Sequence, residues 1–248
     1  MEYYTDTLLQ MDKICRTFKK LIINEFYKSP EAMRAHLFYG TFCFFPKYQK
    51  GYFESIKGVV QVIELFGIDI LERNKGILTN TITGLETPLY VKEREVFETY
   101  MNKLIKIFSD KTIKKQVKDR LSILSLEERL RLDEAIHCFL QGCNYSAVAM
   151  SVSAIEFRLL SLMTAVSPAP RLEKMTLGQL INEYLYNKEK YRKVIPTKYE
   201  KLLEHCNAYR IFSVHPKREK INKSVATSIL HMTFQFLLDK KLIQKVKT

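Results

Sequence analysis

The amino-acid sequence predicts an all-α protein, and three observations lead to this prediction. The chain has 248 residues and 46% hydrophobic content but only eight glycines and seven prolines, too few turn-forming residues for a β-sandwich or barrel. Apolar residues recur at intervals of three and four over most of the chain, which is the spacing of amphipathic helices. Several of these stretches begin with a pattern that caps a helix N-terminus. The length suffices for one large domain or for two of roughly 100 to 150 residues.

Residues 1–120 are predicted to form a mainly helical N-terminal region. Helical periodicity runs through three stretches: residues 5–27, residues 53–66 and residues 93–118, the last of which links the two halves. Thr79–Thr83 and Leu89–Val91 contain residues that favour strands and are separated by Gly84, a pattern that predicts a small β-hairpin. We find no motif in this region that indicates a function.

Residues 121–248 are predicted to form a bundle of four or five helices. The first helix begins at a capping box, in which the Ser125 hydroxyl accepts from the Glu128 amide and the Glu128 carboxylate reaches back, and it ends at Gly142. Asn144 is expected to cap the second helix, which extends to about Ala165. Because apolar residues cover nearly every face of this second helix, we expect it in the middle of the bundle.

The remaining helices of the bundle follow after short loops. A short helix is predicted over Thr176–Tyr186. A second capping box at Thr197–Glu200 is predicted to begin the penultimate helix, which should end at His215. The last helix is expected to begin near Asn222 or Ser224. Short connections between such helices are typical of a helical bundle.

The charge of the chain indicates a polyanionic partner. Forty basic residues against 27 acidic residues give a net charge of +13. The excess is concentrated in residues 188–223, which contain eleven Lys or Arg and four Glu. Such clustering favours nucleic acid as the partner over a small acidic substrate. A lysine-rich surface without a specific role is the alternative, since the first 120 residues also carry an excess of basic residues.

Cysteine usage and hydropathy favour a cytoplasmic location. The five cysteines are odd in number and irregularly spaced, as expected of reduced thiols rather than a disulfide framework. No stretch approaches 18 uninterrupted apolar residues, and the acidic, polar start does not resemble a secretory signal, so we expect no contact with a membrane. His137, Cys138 and Cys143 lack further ligands at zinc-site spacing. The sequence therefore predicts neither a metal nor a cofactor.

Arg210 and His215 are the strongest candidates for catalytic residues. An arginine keeps its charge and binds phosphate through a planar fork, whereas a histidine titrates near neutral pH and transfers protons. Pro216 disfavours the α conformation at His215, so the helix should end there and leave the imidazole at an exposed terminus. A surface arginine followed by a helix-capping histidine is the alternative interpretation of this spacing.

Neighbouring polar residues complete the candidate site. Asn207 lies one turn before Arg210, where it can orient the guanidinium or a phosphate, and Ser213 is the polar residue between the two motif ends. Glu156 is a carboxylate in the apolar second helix, and its donor is expected to be Arg210, Arg158 or solvent. Three cations after the motif are expected to bind flanking phosphates: Lys217, Arg218 and Lys220.

The C-terminal half, from about Ser125 to Leu242, resembles a HEPN domain. The resemblance rests on four features: the arginine-x4-histidine spacing of Arg210 and His215, the apolar second helix with Glu156, the segment Thr176–Ile181, and the polar turn Pro216–Lys223 before a final helix. The N-terminal half resembles no family that we can name.

The resemblance implies an all-α domain that is usually a dimer. Many HEPN domains are metal-independent endoribonucleases of toxin–antitoxin, CRISPR-associated and phage-defence systems, whereas others have lost catalysis and serve as binding modules. It therefore implies RNA as the substrate, a homodimer, and an antitoxin or defence-system protein as a partner. Ile211 departs from the pattern, because active members commonly carry a polar residue after the arginine.

The chemistry of RNA cleavage agrees with these residue types. When a 2′-hydroxyl attacks the adjacent phosphorus, the reaction needs a base, an acid and charge stabilisation; His215 would transfer protons and Arg210 would hold the phosphate. Five residues apart, the two side chains lie about 140° apart around a helix. They converge only if His215 leaves the helical path or a second subunit contributes. The alternatives are a catalytically inactive nucleic-acid- or protein-binding module and a helical interaction protein whose basic face has no role.

Overall fold

The structure, a computed structural model, describes residues 4–28, 50–62, 65, 69–86, 93–214, 221–239 and 242. No strand occurs among these residues, and helices account for most of them, which confirms the all-α prediction. The chain divides into two compact units, Met1–Asp119 and Arg120–Thr248.

The described part of the first unit contains four long helices. They are α1 (Tyr4–Ile22), which a π-helical turn at Ile23–Tyr27 extends, α2 (Lys50–Val62), α3 (Asp69–Glu86) and α4 (Arg94–Ser109). A fifth helix, α5 (Lys111–Leu121), follows at the boundary of the two units. Helix α1 packs against α2 and α4, as its predicted amphipathic pattern requires. Phe18 of α1 meets Phe97 of α4 edge to face at a centroid distance of 6.2 Å, and both rings are fully buried.

The predicted hairpin is wrong where the structure describes it. Thr79–Thr83 lies inside α3, and Leu89–Val91 is outside the described residues. The reason is the spacing of the buried side chains: Leu78, Ile82 and Leu85 recur at intervals of four and three, which is helical. This burial outweighs the preference of threonine for strands. Gly84 lies so close to α4 that a Cβ atom there would be 2.5 Å from Cζ of Tyr100.

The long helix predicted over residues 93–118 is two helices. The break is at Asp110, whose backbone is extended (φ −61°, ψ 121°). The Asp110 carboxylate accepts hydrogen bonds from the backbone N–H groups of Thr112 (2.7 Å) and Ile113 (3.3 Å) and so caps α5.

The second unit is a helical bundle, as predicted. Its helices are α6 (Leu126–Leu140), α7 (Asn144–Val166), α8 (Leu177–Tyr186), the short α9 (Lys188–Tyr191), α10 (Glu200–Val214) and α11 (Lys223–Leu237). Helix α7 packs against α6, α8, α10 and α11, which confirms its predicted central position. By length and composition α7 alone among the described helices could cross a membrane, but 56% of its apolar window is buried in the bundle, as in the core helix of a soluble protein.

Local capping signals fix three of the helix ends. The Ser125 N–H donates to Glu128 Oε2 (2.7 Å) and the Glu128 N–H to Ser125 Oγ (3.3 Å), which confirms the first capping box. Gly142 ends α6 with a left-handed backbone (φ +76°). Asn222 caps α11 through a 3.0 Å hydrogen bond from the Val225 N–H.

Two predicted caps are wrong. The N-cap position of α7 is Cys143, and the Asn144 Oδ1 atom is buried without a hydrogen bond in the described structure. Thr197 begins a single 3-10 turn rather than a capping box. Its expected partner, the Glu200 carboxylate, instead accepts from Lys188 Nζ (2.9 Å) and Tyr184 Oη (3.3 Å), so α10 begins only at Glu200.

Candidate nucleic-acid interface

Arg210 lies on the face of α10 that is turned towards the bundle. It follows Leu203 and Cys206 by seven and four residues, and both of these side chains are fully buried. The arginine is half-buried, and its Nε–H group is buried without an acceptor in the described structure. It also forms no ion pair with any residue in the described ranges. A guanidinium that is partly desolvated and has no counter-ion among the described residues is a candidate site for an anion.

Asn207 lies one turn before Arg210 and presents a second unsatisfied polar atom. Its side chain rests against Gly178 in the first turn of α8, where a Cβ atom would lie 3.2 Å from Nδ2 and 3.3 Å from Oδ1 of Asn207. Asn207 Oδ1 is buried and accepts no hydrogen bond from the described residues. A buried polar atom without a partner costs about 1 to 3 kcal/mol. Asn207 and Arg210 thus each carry one buried polar atom without a partner among the described residues, and the two residues lie one turn apart on α10.

Ser213 forms a hydrogen bond with the backbone of Arg210, not with its guanidinium group. Its hydroxyl donates to the carbonyl oxygen of Arg210 at 2.8 Å. Such a bond from a serine hydroxyl to the carbonyl of an earlier turn is common within helices. The structure therefore gives Ser213 a contact with the backbone of its own helix.

The structure does not join Glu156 to Arg210. Arg158, the other expected donor, is 4% exposed and forms a bidentate ion pair with Glu128, including a 2.8 Å bond from Nη2 to Oε2. Glu156 is half-buried and has no hydrogen bond or ion pair within the described structure. Of the three donors expected from the sequence, solvent is the one that this arrangement leaves.

The second half of the motif lies outside the described residues. The motif residues that the structure does not describe are His215, Pro216, Lys217, Arg218 and Lys220. Helix α10 is described up to Val214, and the chain resumes at Ile221, whose N–H donates to Tyr145 Oη at 3.3 Å. The placement of Arg210 and Asn207 is therefore the structural basis of the candidate site.

Four of the eight described cations of residues 188–223 have a carboxylate nearby. The pairs are Lys188–Glu200 (2.9 Å), Arg192–Glu189 (3.7 Å), Lys198–Asp239 (2.6 Å) and Lys201–Glu204 (2.9 Å). Because these cations are partly neutralised by neighbours, the positive field of this segment is weaker than the sequence count suggests. Arg210 differs from them in being half-buried and unpaired within the described structure.

A row of aromatic rings on α10 was not identified from the sequence. His205, Tyr209 and Phe212 (the aromatic row) follow one another at helical spacing, with ring centroids 4.8 Å and 5.8 Å apart. His205 is exposed, and the other two rings are half-buried. Helical spacing places this row roughly 100 to 160° around α10 from Arg210. Partly exposed aromatic rings can stack on unpaired bases. The signal in the sequence was the spacing of four and three residues.

Two further residues limit the chemistry of this helix. Cys206, beside His205, is fully buried, and burial raises the pKa of its thiol to about 12, so it is unreactive. Ile211, which follows the motif arginine, is 44% exposed and places an apolar side chain at the rim of the site. No group of three or more potential metal ligands occurs in the described part of the chain.

Searches of protein-family models, curated proteins and solved structures find no match to this chain.

Proposed function

We propose that the protein is a HEPN-like endoribonuclease that cleaves RNA without a metal ion, at a site built around Arg210 and His215. The observation that carries the proposal is the half-buried guanidinium of Arg210, whose Nε–H has no acceptor in the described structure. A phosphodiester supplies a negative charge and acceptor oxygens, neither of which the described residues offer to this group.

Residues of α10 and of the segment that follows it in the sequence have different roles in the proposed reaction. Arg210 binds the scissile phosphate and stabilises the charge that builds up on its oxygens in the transition state. Asn207, one turn earlier, orients the phosphate or the guanidinium. His215 takes a proton from the attacking 2′-hydroxyl or delivers one to the leaving 5′-oxygen. The lysines and arginine at positions 217, 218 and 220 bind flanking phosphates.

The aromatic row favours single-stranded RNA as the substrate. Stacking on aromatic side chains requires bases that are not paired, and it is tolerant of sequence. A homodimer is part of the proposal, because two copies of one motif would supply both the acid and the base. Cytoplasmic location, and a toxin or antiviral-defence role with a partner protein that restrains the enzyme, follow from the HEPN resemblance.

The proposal is tested with purified protein and a labelled single-stranded RNA in the presence of EDTA. We expect cleavage that leaves 2′,3′-cyclic phosphate ends, and no cleavage of the same RNA with 2′-O-methyl sugars. His215→Ala should abolish cleavage, whereas His231→Ala, which removes an exposed histidine of α11, should not. Cleavage that EDTA abolishes, or that His215→Ala retains, would contradict the proposal.

A second candidate function is a HEPN-like module that binds nucleic acid or protein without catalysis. The exposed apolar side chain of Ile211 favours it, since active members commonly have a polar residue at this position. This module would bind the RNA with an affinity that falls steeply with salt concentration but would leave it intact. Ile211→Asn would then increase neither binding nor cleavage.

A further inference from the structure

The turn between α6 and α7 is a Schellman motif with a cysteine at each end. Gly142 has the left-handed conformation (φ +76°) that this motif needs. The Cys143 N–H donates to the Cys138 carbonyl oxygen at 2.8 Å, and the Gly142 N–H donates to that of Phe139 at 3.1 Å. These two hydrogen bonds define the motif.

The motif joins the backbones of the two cysteines. Side chains at the positions of Cys138 and Cys143 commonly contact each other in a Schellman motif, where they are usually apolar. The 2.8 Å hydrogen bond from the Cys143 N–H to the Cys138 carbonyl oxygen keeps the two backbones close together, as a disulfide requires. Burial raises the pKa of Cys138, and the charges of Glu134 and of the nearby Cys143 add to this effect. The influence of Cys143 on that thiol agrees with their proximity.

The same two thiols are accessible, whereas two other described thiols are not. Cys143 is exposed and Cys138 is half-buried, but Cys15 and Cys206 are fully buried. Burial raises the pKa of both buried thiols to about 12, so neither forms the reactive thiolate at neutral pH. Among the four described cysteines, oxidation should therefore be selective for the two in the turn.

We infer that Cys138 and Cys143 form a redox-active dithiol, which a small disulfide such as oxidised glutathione converts into an intramolecular disulfide. The exposed Cys143 thiolate attacks one sulfur of oxidised glutathione, which forms a mixed disulfide and releases one glutathione thiolate. The Cys138 thiol then loses its proton and attacks Sγ of Cys143, which forms the protein disulfide and releases the second glutathione thiolate. The two protons of the protein thiols end on the two glutathiones, and one oxidised glutathione is reduced. This inference is independent of the proposed function.

The disulfide would tie the end of α6 to the start of α7, the two helices that form the main hairpin of the bundle. Because the Schellman turn already holds the two residues together, the bond should form without a change of fold. A covalent bond across this turn should raise the melting temperature by a few degrees.

The test uses the fact that trypsin releases both cysteines in one peptide. No lysine or arginine lies between Arg131 and Arg158. The native protein is treated with oxidised glutathione, alkylated with iodoacetamide, digested and analysed by mass spectrometry. We expect peptide 132–158 to lose two hydrogens and to take up no alkyl group. Alkylation of both thiols after treatment, or a disulfide between two chains, would overturn the inference.

Single variants distinguish the thiol that attacks glutathione, Cys143, from the thiol that resolves the mixed disulfide, Cys138. In Cys138→Ser the mixed disulfide at Cys143 should persist, because the second thiol is missing, and glutathione remains on the peptide. In Cys143→Ser the remaining Cys138 should be alkylated instead. Glutathione at Cys138 in Cys143→Ser, with none at Cys143 in Cys138→Ser, would contradict the order of attack.

Two glycine variants test the geometry. A Cβ atom at Gly142 or at Gly76 would meet open space, with no atom of a more distant residue within 4 Å, but only Gly142 has a positive φ among the glycines of the described chain. Gly142→Ala should slow disulfide formation several-fold by straining the motif, and Gly76→Ala should not change it. Equal rates in the two variants would show that the Schellman geometry does not position the thiols.

Discussion

Glu128 and Arg158 form a buried ion pair between the first turn of α6 and the middle of α7. Arg158 Nη2 lies 2.8 Å from Glu128 Oε2, and the arginine and glutamate side chains are 5% and 3% exposed. The same carboxylate oxygen accepts a hydrogen bond from the Ser125 N–H in the capping box. Glu128 therefore both caps the start of α6 and neutralises the buried charge of Arg158 in α7. Because Arg158 is occupied in this way, it is not available as a partner for Glu156.

Removing either member of this pair should destabilise the second unit strongly. Glu128→Gln or Arg158→Met leaves one buried charge unpaired, which costs about 3 to 5 kcal/mol. The double variant should cost much less than the sum of the two, as chemical denaturation of all three variants would show. Glu127→Gln and Arg131→Met are matched controls, because that neighbouring pair (2.6 Å) is more exposed and should contribute less than about 1 kcal/mol. Additive losses at Glu128 and Arg158 would contradict this account.

Alanine should have opposite effects on stability at two glycines. Gly142→Ala forces a side chain into the left-handed region and should lower the free energy of unfolding by about 1 to 2 kcal/mol. Gly76 lies inside α3, is exposed and has open space around it, so Gly76→Ala should raise that free energy by up to about 1 kcal/mol. Urea denaturation of both variants measures these changes, and a loss of stability at both positions would be inconsistent with the geometry.

Stability should fall in alkaline solution through Tyr199. Burial, followed by the hydrogen bond that its hydroxyl donates to Asp239 (2.5 Å), raises the pKa of Tyr199 to about 12 from an ordinary value of 10.0. The unfolded chain therefore releases this proton first, so the stabilisation is complete below pH 10 and is lost between pH 10 and about pH 12. Between these pH values, the free energy of unfolding of Tyr199→Phe should fall by about 1 to 2 kcal/mol less than that of the unmodified protein.

The control for this titration is Tyr186→Phe, since the Tyr186 side chain is 88% exposed. It should have the alkaline stability profile of the unmodified protein in urea denaturation from about pH 9 upwards. Identical profiles for Tyr199→Phe and Tyr186→Phe would show that the buried hydroxyl does not contribute.

A methyl group at Gly178 should disturb the proposed site through Asn207. It would lie 3.2 Å from Asn207 Nδ2, a contact so tight that the amide must move by a few tenths of an ångström. We expect Gly178→Ala to reduce RNA cleavage roughly 3- to 10-fold, because small displacements of positioning groups slow reactions. Gly76→Ala, whose added methyl group meets open space, is the control. An unchanged cleavage rate in Gly178→Ala would show that Asn207 does not contribute to the reaction.

Helix ends that depend on neighbouring residues were predictable from the sequence. The Ser125 capping box and the Gly142 stop each involve atoms within a few residues of each other, so the local pattern determines them. The central position of α7 followed from its apolar surface on nearly all sides. These features depend on residues that are close together in the sequence.

Features that depend on distant residues were not predictable. The expected cap at Thr197 failed because Glu200 pairs with Lys188, twelve residues away. The threonines of α3 became helical because Leu78 and Leu85 are buried, which strand propensity does not take into account. In the candidate site, the sequence showed Arg210 but not that its Nε–H is buried without an acceptor among the described residues. Spatial neighbours decided each of these outcomes.

The rate of RNA cleavage by Arg210→Lys in the presence of EDTA tests the central claim most directly. Lysine keeps the charge but loses the planar fork that binds two phosphate oxygens, so we predict a loss of about 100-fold or more. Arg94→Lys is the matched control, because Arg94 is exposed, pairs with Glu98 at 2.6 Å and lies in the first unit. The account predicts full activity in Arg94→Lys and almost none in Arg210→Lys. Equal rates in the two variants would contradict it.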